Sequence, residues 1–288
     1  MHLKTLLGDY PVTSALKTGE VASDSVTFEF ADFQPTNAGF KPMVREGRFD
    51  VSEMAIVTYL IAKAYHKPMV LLPAVVMGRF QHEYALYNRS HAPLTPADLA
   101  GKRVGIRSFT TTTAAWIRGI LANDYAVDLN SIRWVTFEEP HVAEYVDTTE
   151  RAPKGKKILE MLAAGELDAV LGERSDDPSF ATLFADPMAE ARAWYDRHGI
   201  VPINHMVVVS ERLVQANPDA VREVFRLLKA SKAKAAKPAG DAIDFCPFGL
   251  EPQRKPLQEI VHYAAQQGLI PRAYAVEELF DDTTRLLG

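Results

Sequence analysis

Two distant stretches share one design, and that repetition constrains the chain more than its composition does. Glu46-Gly47-Arg48-Phe49-Asp50-Val51 and Ala164-Gly165-Glu166-Leu167-Asp168-Ala169 both read as helix end, glycine, apolar residue, aspartate, strand. Glycine belongs at such a helix end because it accepts the left-handed cap conformation. Each stretch is followed by a glutamate near the strand's carboxyl end, Glu53 and Glu173. With strands and helices alternating in both halves, the repeat predicts an α/β protein of two similar lobes. Ligands of open α/β sheets sit beyond the carboxyl ends of strands, so Glu53, Glu173 and Arg107 are expected to converge on one cleft.

The second lobe carries the more explicit site signal. Lys102 to Ile106 reads as a short strand, and Ile117, Ile120 and Leu121 recur at helical spacing just beyond it. The joint between them is polar and basic: Arg107, Ser108, then Thr110, Thr111, Thr112 and Thr113. A helix start offers unpaired backbone N–H groups and a partial positive charge, which suits a carboxylate.

Elsewhere, strands are predicted at Leu3–Leu7, Val26–Phe30, Phe49–Val51, Met69–Val76, Tyr84–Tyr87, Ile132–Val135, Leu167–Leu171 and Met206–Val209. Helices are predicted at Val12–Thr18, Pro42–Glu46, Ile56–Tyr65, Lys156–Ala164 and Pro187–His198, and over most of the chain after Glu211. In that tail Pro238, Gly240 and Pro247 are expected to break the pattern before a helix near Leu257–Gln267. The strand Tyr84–Tyr87 is read as leaving the first lobe. This places lobe I at residues 1–87 and 206–288 and lobe II at 88–205.

Composition excludes several functions. A net charge of −5 offers no basic footprint for nucleic acid, and the Lys229–Lys237 run reads as a solvated helix end. A single cysteine, Cys246, rules out an intrachain disulfide. No apolar stretch is long enough for a membrane helix, and the first residues lack the pattern of a secretory signal, so a cytoplasmic protein is expected. Compact metal motifs, glycine-rich phosphate loops and nicotinamide fingerprints are absent. No cofactor and no metal are therefore expected, and a homo-oligomer is compatible with the sequence.

The fragments Glu46–Asp50, Asp98–Gly105 and Ala164–Ala169 resemble the periplasmic-binding-protein type 2 fold, in which the chain passes from one lobe to a second and back. Arg48-Phe49-Asp50 with Ser52-Glu53, Arg79 with His82, the threonine-rich turn with Trp116-Ile117-Arg118-Gly119, and Gly199 to His205 are more specifically similar to the 4,5-dihydroxyphthalate decarboxylase family. The resemblance runs from about Leu3 to about Val209. It implies a two-lobed α/β fold with a ligand cleft between the lobes. The activity implied is non-oxidative decarboxylation of 4,5-dihydroxyphthalate to protocatechuate and carbon dioxide, with a small aromatic dicarboxylate as the partner.

The chemistry then assigns expected roles. Arg107, Ser108 and Thr111 to Thr113 hold one carboxylate and Arg79 the other. His82 and His205 are the candidates for proton transfer, since imidazole titrates near neutral pH. Glu53 accepts from the ring hydroxyls or orients a histidine, and Ser52 and Glu173 complete the expected substrate contacts. Trp116 is either core packing or a stacking platform, and His141 has only its residue type in its favour. The competing reading is a non-catalytic binding protein or sensor for a small carboxylate, which the same anion site and lobes would serve.

Overall fold

The computed structural model describes residues 1–91, 93–235 and 243–288. In chain order the strands are β1 (His2–Leu6), β2 (Thr27–Phe30), β3 (Val51–Ala55), β4 (Met69–Gly78), β5 (Ala85–Asn88), β6 (Arg103–Ile106), β7 (Arg133–Thr136), β8 (Glu150–Arg151), β9 (Ala169–Leu171), β10 (Phe180–Thr182) and β11 (Ile203–Ser210). Between them lie α1 (Pro11–Lys17), α2 (Phe40–Glu46), α3 (Ile56–Ala64), α4 (Thr112–Asp124), α5 (Ile158–Ala163) and α6 (Pro187–His198). The tail forms α7 (Glu211–Ala216), α8 (Pro218–Lys234) and α9 (Leu250–Gln266).

Two mixed sheets result, ordered β2-β1-β3-β11-β4 and β10-β5-β9-β6-β7-β8. The repeat seen in the sequence builds the same joint in each. Asp50 Oδ2 accepts from the Lys4 backbone N–H at 3.0 Å, and Asp168 Oδ2 accepts from that of Arg103 at 2.8 Å. Each aspartate N–H also donates to the carbonyl of the same residue, at 2.8 Å in both lobes. The aspartate thus locks the start of one strand to its parallel neighbour, β1 to β3 and β6 to β9. Gly47 ends α2 at a φ of 62°, the left-handed conformation expected of it.

The lobe crossings differ from the expected boundaries. β5 pairs with β9 and β10, so the chain changes sheets between Gly78 and Ala85, before the predicted strand and not after it. β11, which includes His205, already pairs with β3 and β4 of the first sheet. The tail also departs from its expected start. α9 begins at Leu250 and carries Pro256 inside it, although proline removes a helical hydrogen bond. Pro238 and Gly240 lie outside the described residues, and the lysine run lies on α8 as far as Lys234.

One apolar cluster joins the lobes, running from Met54 and Ile56 through Trp116 and Trp194 to Leu257 and Tyr263. α9 packs directly on α4, and there Gly119 is required. A Cβ at that position would fall 1.9 Å from the Tyr263 ring. No helix among the described residues is long and apolar enough to cross a membrane.

Candidate functional site

The carboxyl ends of the two sheets face each other across a cleft of about 430 Å³. Two helix starts open into it. α3 follows β3 directly with Ala55 at its N-cap, a residue with no side chain to cap it, and α4 begins after Thr111. Thr111 does not cap α4 either, because its hydroxyl donates to the Ser108 carbonyl at 2.9 Å. Thr112 Oγ1 instead accepts the Val57 N–H of α3 at 3.1 Å, so a hydroxyl of one lobe satisfies a helix start of the other. The remaining N–H groups of these starts give the cleft a positive potential.

Glu53 stands fully buried behind the cleft wall. Its Oε2 accepts from the Gly8 N–H at 2.8 Å, and its Oε1 accepts from Tyr10 Oη at 2.7 Å and from His205 Nδ1 at 2.5 Å. Burial pushes a carboxyl up, but the bonds and charge of His205, with Tyr10 and Gly8, outweigh it and hold Glu53 below its ordinary value. The same arrangement raises the Tyr10 phenol, through burial first and the adjacent Glu53 charge second. His205 lines the cleft, and its other ring nitrogen has no hydrogen-bond partner among the described residues.

The cationic side is built by the crossing strands. Arg79 lies over the Tyr84 ring at 4.1 Å and donates through Nη2 to Thr113 Oγ1 at 3.1 Å. Asn204, on the returning strand, also donates to Thr113 Oγ1, at 3.2 Å, and accepts from Gln81 Nε2 at 2.8 Å. With two donors already on its oxygen, the Thr113 hydroxyl has its own proton left for a ligand. Arg107 faces the cleft with only a long contact, 3.7 Å, to Glu138. Glu173 lies on the same wall. Burial raises its carboxyl, against the lowering effect of Arg107.

Of the expected residues, the structure brings together Arg79, Arg107, Thr111, Thr112, Thr113, Glu173 and His205 in the cleft, with Glu53 supporting His205. Four others are not in it. His82 is buried against Phe184 and Trp194, with ring centres 4.9 and 6.4 Å away and both nitrogens unpartnered. Trp116 is fully buried and donates to the Ile203 carbonyl at 2.8 Å, which makes it packing and not a platform. Ser52 donates to the Glu53 carbonyl, and Ser108 is buried beside Thr110.

Sequence reasoning missed Tyr10, Gln81 and Asn204. The repeat carried a signal for the first of these. Gly8 lies four residues beyond Lys4, as Arg107 does beyond Arg103, so Gly8-Asp9-Tyr10 is the first lobe's counterpart of the basic turn. Among the described residues no group of three or more His, Cys, Asp or Glu side chains is placed to hold a metal ion. A larger groove of about 840 Å³, between Phe109, Trp134 and Gln267, collects none of the expected residues.

No protein-family model matches the chain. Two curated relatives do. A 4,5-dihydroxyphthalate decarboxylase of Comamonas testosteroni is 28% identical over 251 residues, spanning 82% of this chain and 76% of that one. Another 4,5-dihydroxyphthalate decarboxylase, of Pseudomonas putida, is 28% identical over 211 residues, spanning 68% of this chain and 81% of that one. Among solved structures, the alkanesulfonate-binding protein SsuA of Xanthomonas axonopodis pv. citri, bound to MOPS, superposes with a TM-score of 0.59 at 16% identity, covering 97% of this chain and 98% of that one. The periplasmic aliphatic sulphonate binding protein SsuA of Escherichia coli gives 0.58 at 13% identity, covering 100% and 94%. In sequence the chain is similar to 4,5-dihydroxyphthalate decarboxylases, and in fold it is a two-lobed α/β protein of the periplasmic-binding-protein type 2 kind.

Proposed function

We propose that this protein is a non-oxidative decarboxylase of a dihydroxylated aromatic dicarboxylate, converting 4,5-dihydroxyphthalate to protocatechuate and carbon dioxide. The observation that carries this reading is the pairing of His205 with the buried Glu53 carboxylate in the wall of a cleft lined by Arg79 and Arg107. A cleft built only to hold an anion has no need of a buried carboxylate that orients an imidazole at its edge.

Decarboxylating an electron-rich ring requires a proton on the carbon bearing the carboxylate, then loss of carbon dioxide and return of aromaticity. A hydroxyl para to that carbon pushes electron density toward it, so the substrate supplies part of the activation. Arg79, Arg107 and the uncapped start of α4 hold the two carboxylates through charge-assisted bonds. Glu53 accepts from Nδ1 and fixes the His205 ring, and in the imidazolium form that donates, the second N–H, at Nε2, is turned to the substrate. His205 is the proton donor to the ring carbon, a contribution of about 10²- to 10⁴-fold in rate. The proton it gives up is restored from solvent.

The test is direct. Purified protein is incubated with 4,5-dihydroxyphthalate while carbon dioxide and protocatechuate are followed. Stoichiometric release of both supports the reading. Binding of the compound without turnover sinks it and leaves a carboxylate-binding protein.

A further inference from the structure

His141 belongs by chain order to the segment between β7 and β8, yet it is fastened to the opposite lobe. Arg45 of α2 donates through Nε to the His141 carbonyl at 3.0 Å and through Nη2 to that of Pro140 at 2.8 Å. The ring Nδ1 lies 2.9 Å from Thr58 Oγ1 on α3. Its face is set by Phe40, which meets the His141 ring edge-on at 6.0 Å and the His205 ring edge-on at 5.2 Å. Two imidazoles thus flank one phenyl ring, and both line the cleft. The other nitrogen of His141, Nε2, has no hydrogen-bond partner among the described residues.

The charged groups around His141 are Arg107 at the end of β6, Lys41 and Arg45 on α2, and His205 on β11. No carboxylate forms an ion pair with it among the described residues. Burial first, and then these cations, push its pKa down to about 4, so the ring is neutral; the negative charge of a bound dicarboxylate offsets the same cations and raises its basicity. Thr58 Oγ1 is in place to accept from Nδ1–H, and in that tautomer the neutral ring presents a lone pair at Nε2 to the cleft.

We propose that His141 reads a ring hydroxyl of the bound aromatic acid through Nε2, and that in the decarboxylation it takes this hydroxyl's proton. The inference rests on the reading of the cleft as a site for a dihydroxylated aromatic dicarboxylate. The phenolic O–H bond breaks as its proton passes to Nε2, and the oxygen's electron pair is delivered through the ring to the para carbon. That carbon takes a proton from His205, the carbon–carboxylate bond breaks to release carbon dioxide, and its electrons return through the ring to the oxygen. The oxygen recovers its proton from His141. Only the proton taken from His205 is consumed, and solvent replaces it.

The experiment compares binding of 4,5-dihydroxyphthalate and of phthalate, which lacks the hydroxyls, together with turnover of the former. His141→Asn keeps an amide where Nδ1 meets Thr58 but places nothing at Nε2, whereas His141→Gln reaches the Nε2 position with a group that cannot take a proton. The parent is expected to prefer the dihydroxy compound by roughly tenfold, the worth of a hydrogen bond, and His141→Asn to bind both alike with phthalate affinity little changed. His141→Gln is expected to keep the preference while losing about 100-fold or more in kcat. The proposal is overturned if the parent shows no preference, if His141→Asn retains it, or if His141→Gln turns over at the parental rate. A parent that binds both compounds but never releases carbon dioxide sinks the decarboxylation and the proton transfer with it. Hydroxyl reading then stands or falls on His141→Asn alone. Melting temperatures check folding, and if the Asn variant does not fold, the Gln variant's kcat decides.

Discussion

Glu53 and His205 are diagonal neighbours on one face of an antiparallel pair. Val207 lies opposite Glu53 in the β3–β11 register and His205 lies opposite Ala55, which brings Nδ1 to 2.5 Å from the carboxylate. The pair is set by sheet register and not by a loop, so it does not depend on ligand. Replacing Glu53 by glutamine keeps the shape but only one of the two acceptor oxygens that Gly8 and Tyr10 use, and it removes the charge that orients His205. The kcat of Glu53→Gln is expected to fall by about 10²- to 10⁴-fold with KM within a few-fold of the parent. An unchanged kcat would remove Glu53 from the mechanism.

His82 and His205 were equal candidates in the sequence, and the structure separates them. Replacing His205 by glutamine is expected to lower kcat and the melting temperature together, because the buried Glu53 carboxylate loses the partner that offsets its burial. His82 has the opposite profile, since both of its nitrogens are buried without partners. Unsatisfied buried polar atoms cost about 1–3 kcal/mol, so His82→Phe is expected to raise stability by about 1 kcal/mol and leave kcat alone. Equilibrium urea unfolding and steady-state assays on the two variants decide this.

The same residue sets part of the stability profile with pH. Burial, only partly opposed by Glu190 and Asp124, lowers His82 from the usual 6.5 to about 4. Between those values the unfolded chain binds a proton that the folded protein refuses, so stability falls as pH drops from about 6.5 toward 4. The full effect is about 3 kcal/mol. Urea midpoints between pH 7 and pH 5 should therefore fall more steeply for the parent than for His82→Phe, and equal slopes would discard the assignment.

What the sequence made legible follows from this contrast. The Asp50 and Asp168 repeat was readable because a backbone joint demands one residue type at one spacing, and both lobes build it alike. Arg107 and Thr111 to Thr113 were readable because a polar helix start after a strand has few other uses. His82, Trp116 and Ser52 were not, since a histidine, tryptophan or serine carries no mark that tells cleft from core. The expected parallel between Glu53 and Glu173 also fails in detail. Three residues beyond the repeat's aspartate stands Glu53 in one lobe but Leu171 in the other, so only the first lobe has a carboxylate within its strand. The crossing into the second sheet was placed late because Ala85–Asn88 alternates like any strand, and pairing partners are not written in alternation.

Thr112 ties the lobes together where the cleft begins. Its hydroxyl accepts the Val57 N–H and is almost fully buried. Valine has nearly the same shape and no acceptor, so Thr112→Val strands a buried N–H at an expected cost of about 1–3 kcal/mol. Amide hydrogen exchange should show Val57 losing protection well beyond its neighbours, and exchange unaltered at Val57 would mean that another group holds it.

Arg79 tests the carboxylate clamp most sharply, because two features of arginine fix it at once. The planar guanidinium stacks on Tyr84 at 4.1 Å while Nη2 reaches Thr113, which leaves further donors for the ligand. Lysine preserves the charge but neither the stack nor the fork. If charge alone mattered, Arg79→Lys would bind like the parent. If the fork matters, the loss of a charge-assisted pair, about 1.5–3 kcal/mol, weakens the Kd for 4,5-dihydroxyphthalate by roughly 10- to 150-fold. The weaker binding should persist at high salt, since a bidentate contact in a half-buried cleft is less screened than a surface charge. Titration calorimetry at low and high ionic strength separates the two, and parental affinity in Arg79→Lys at both would leave Arg107 and the start of α4 as the whole clamp.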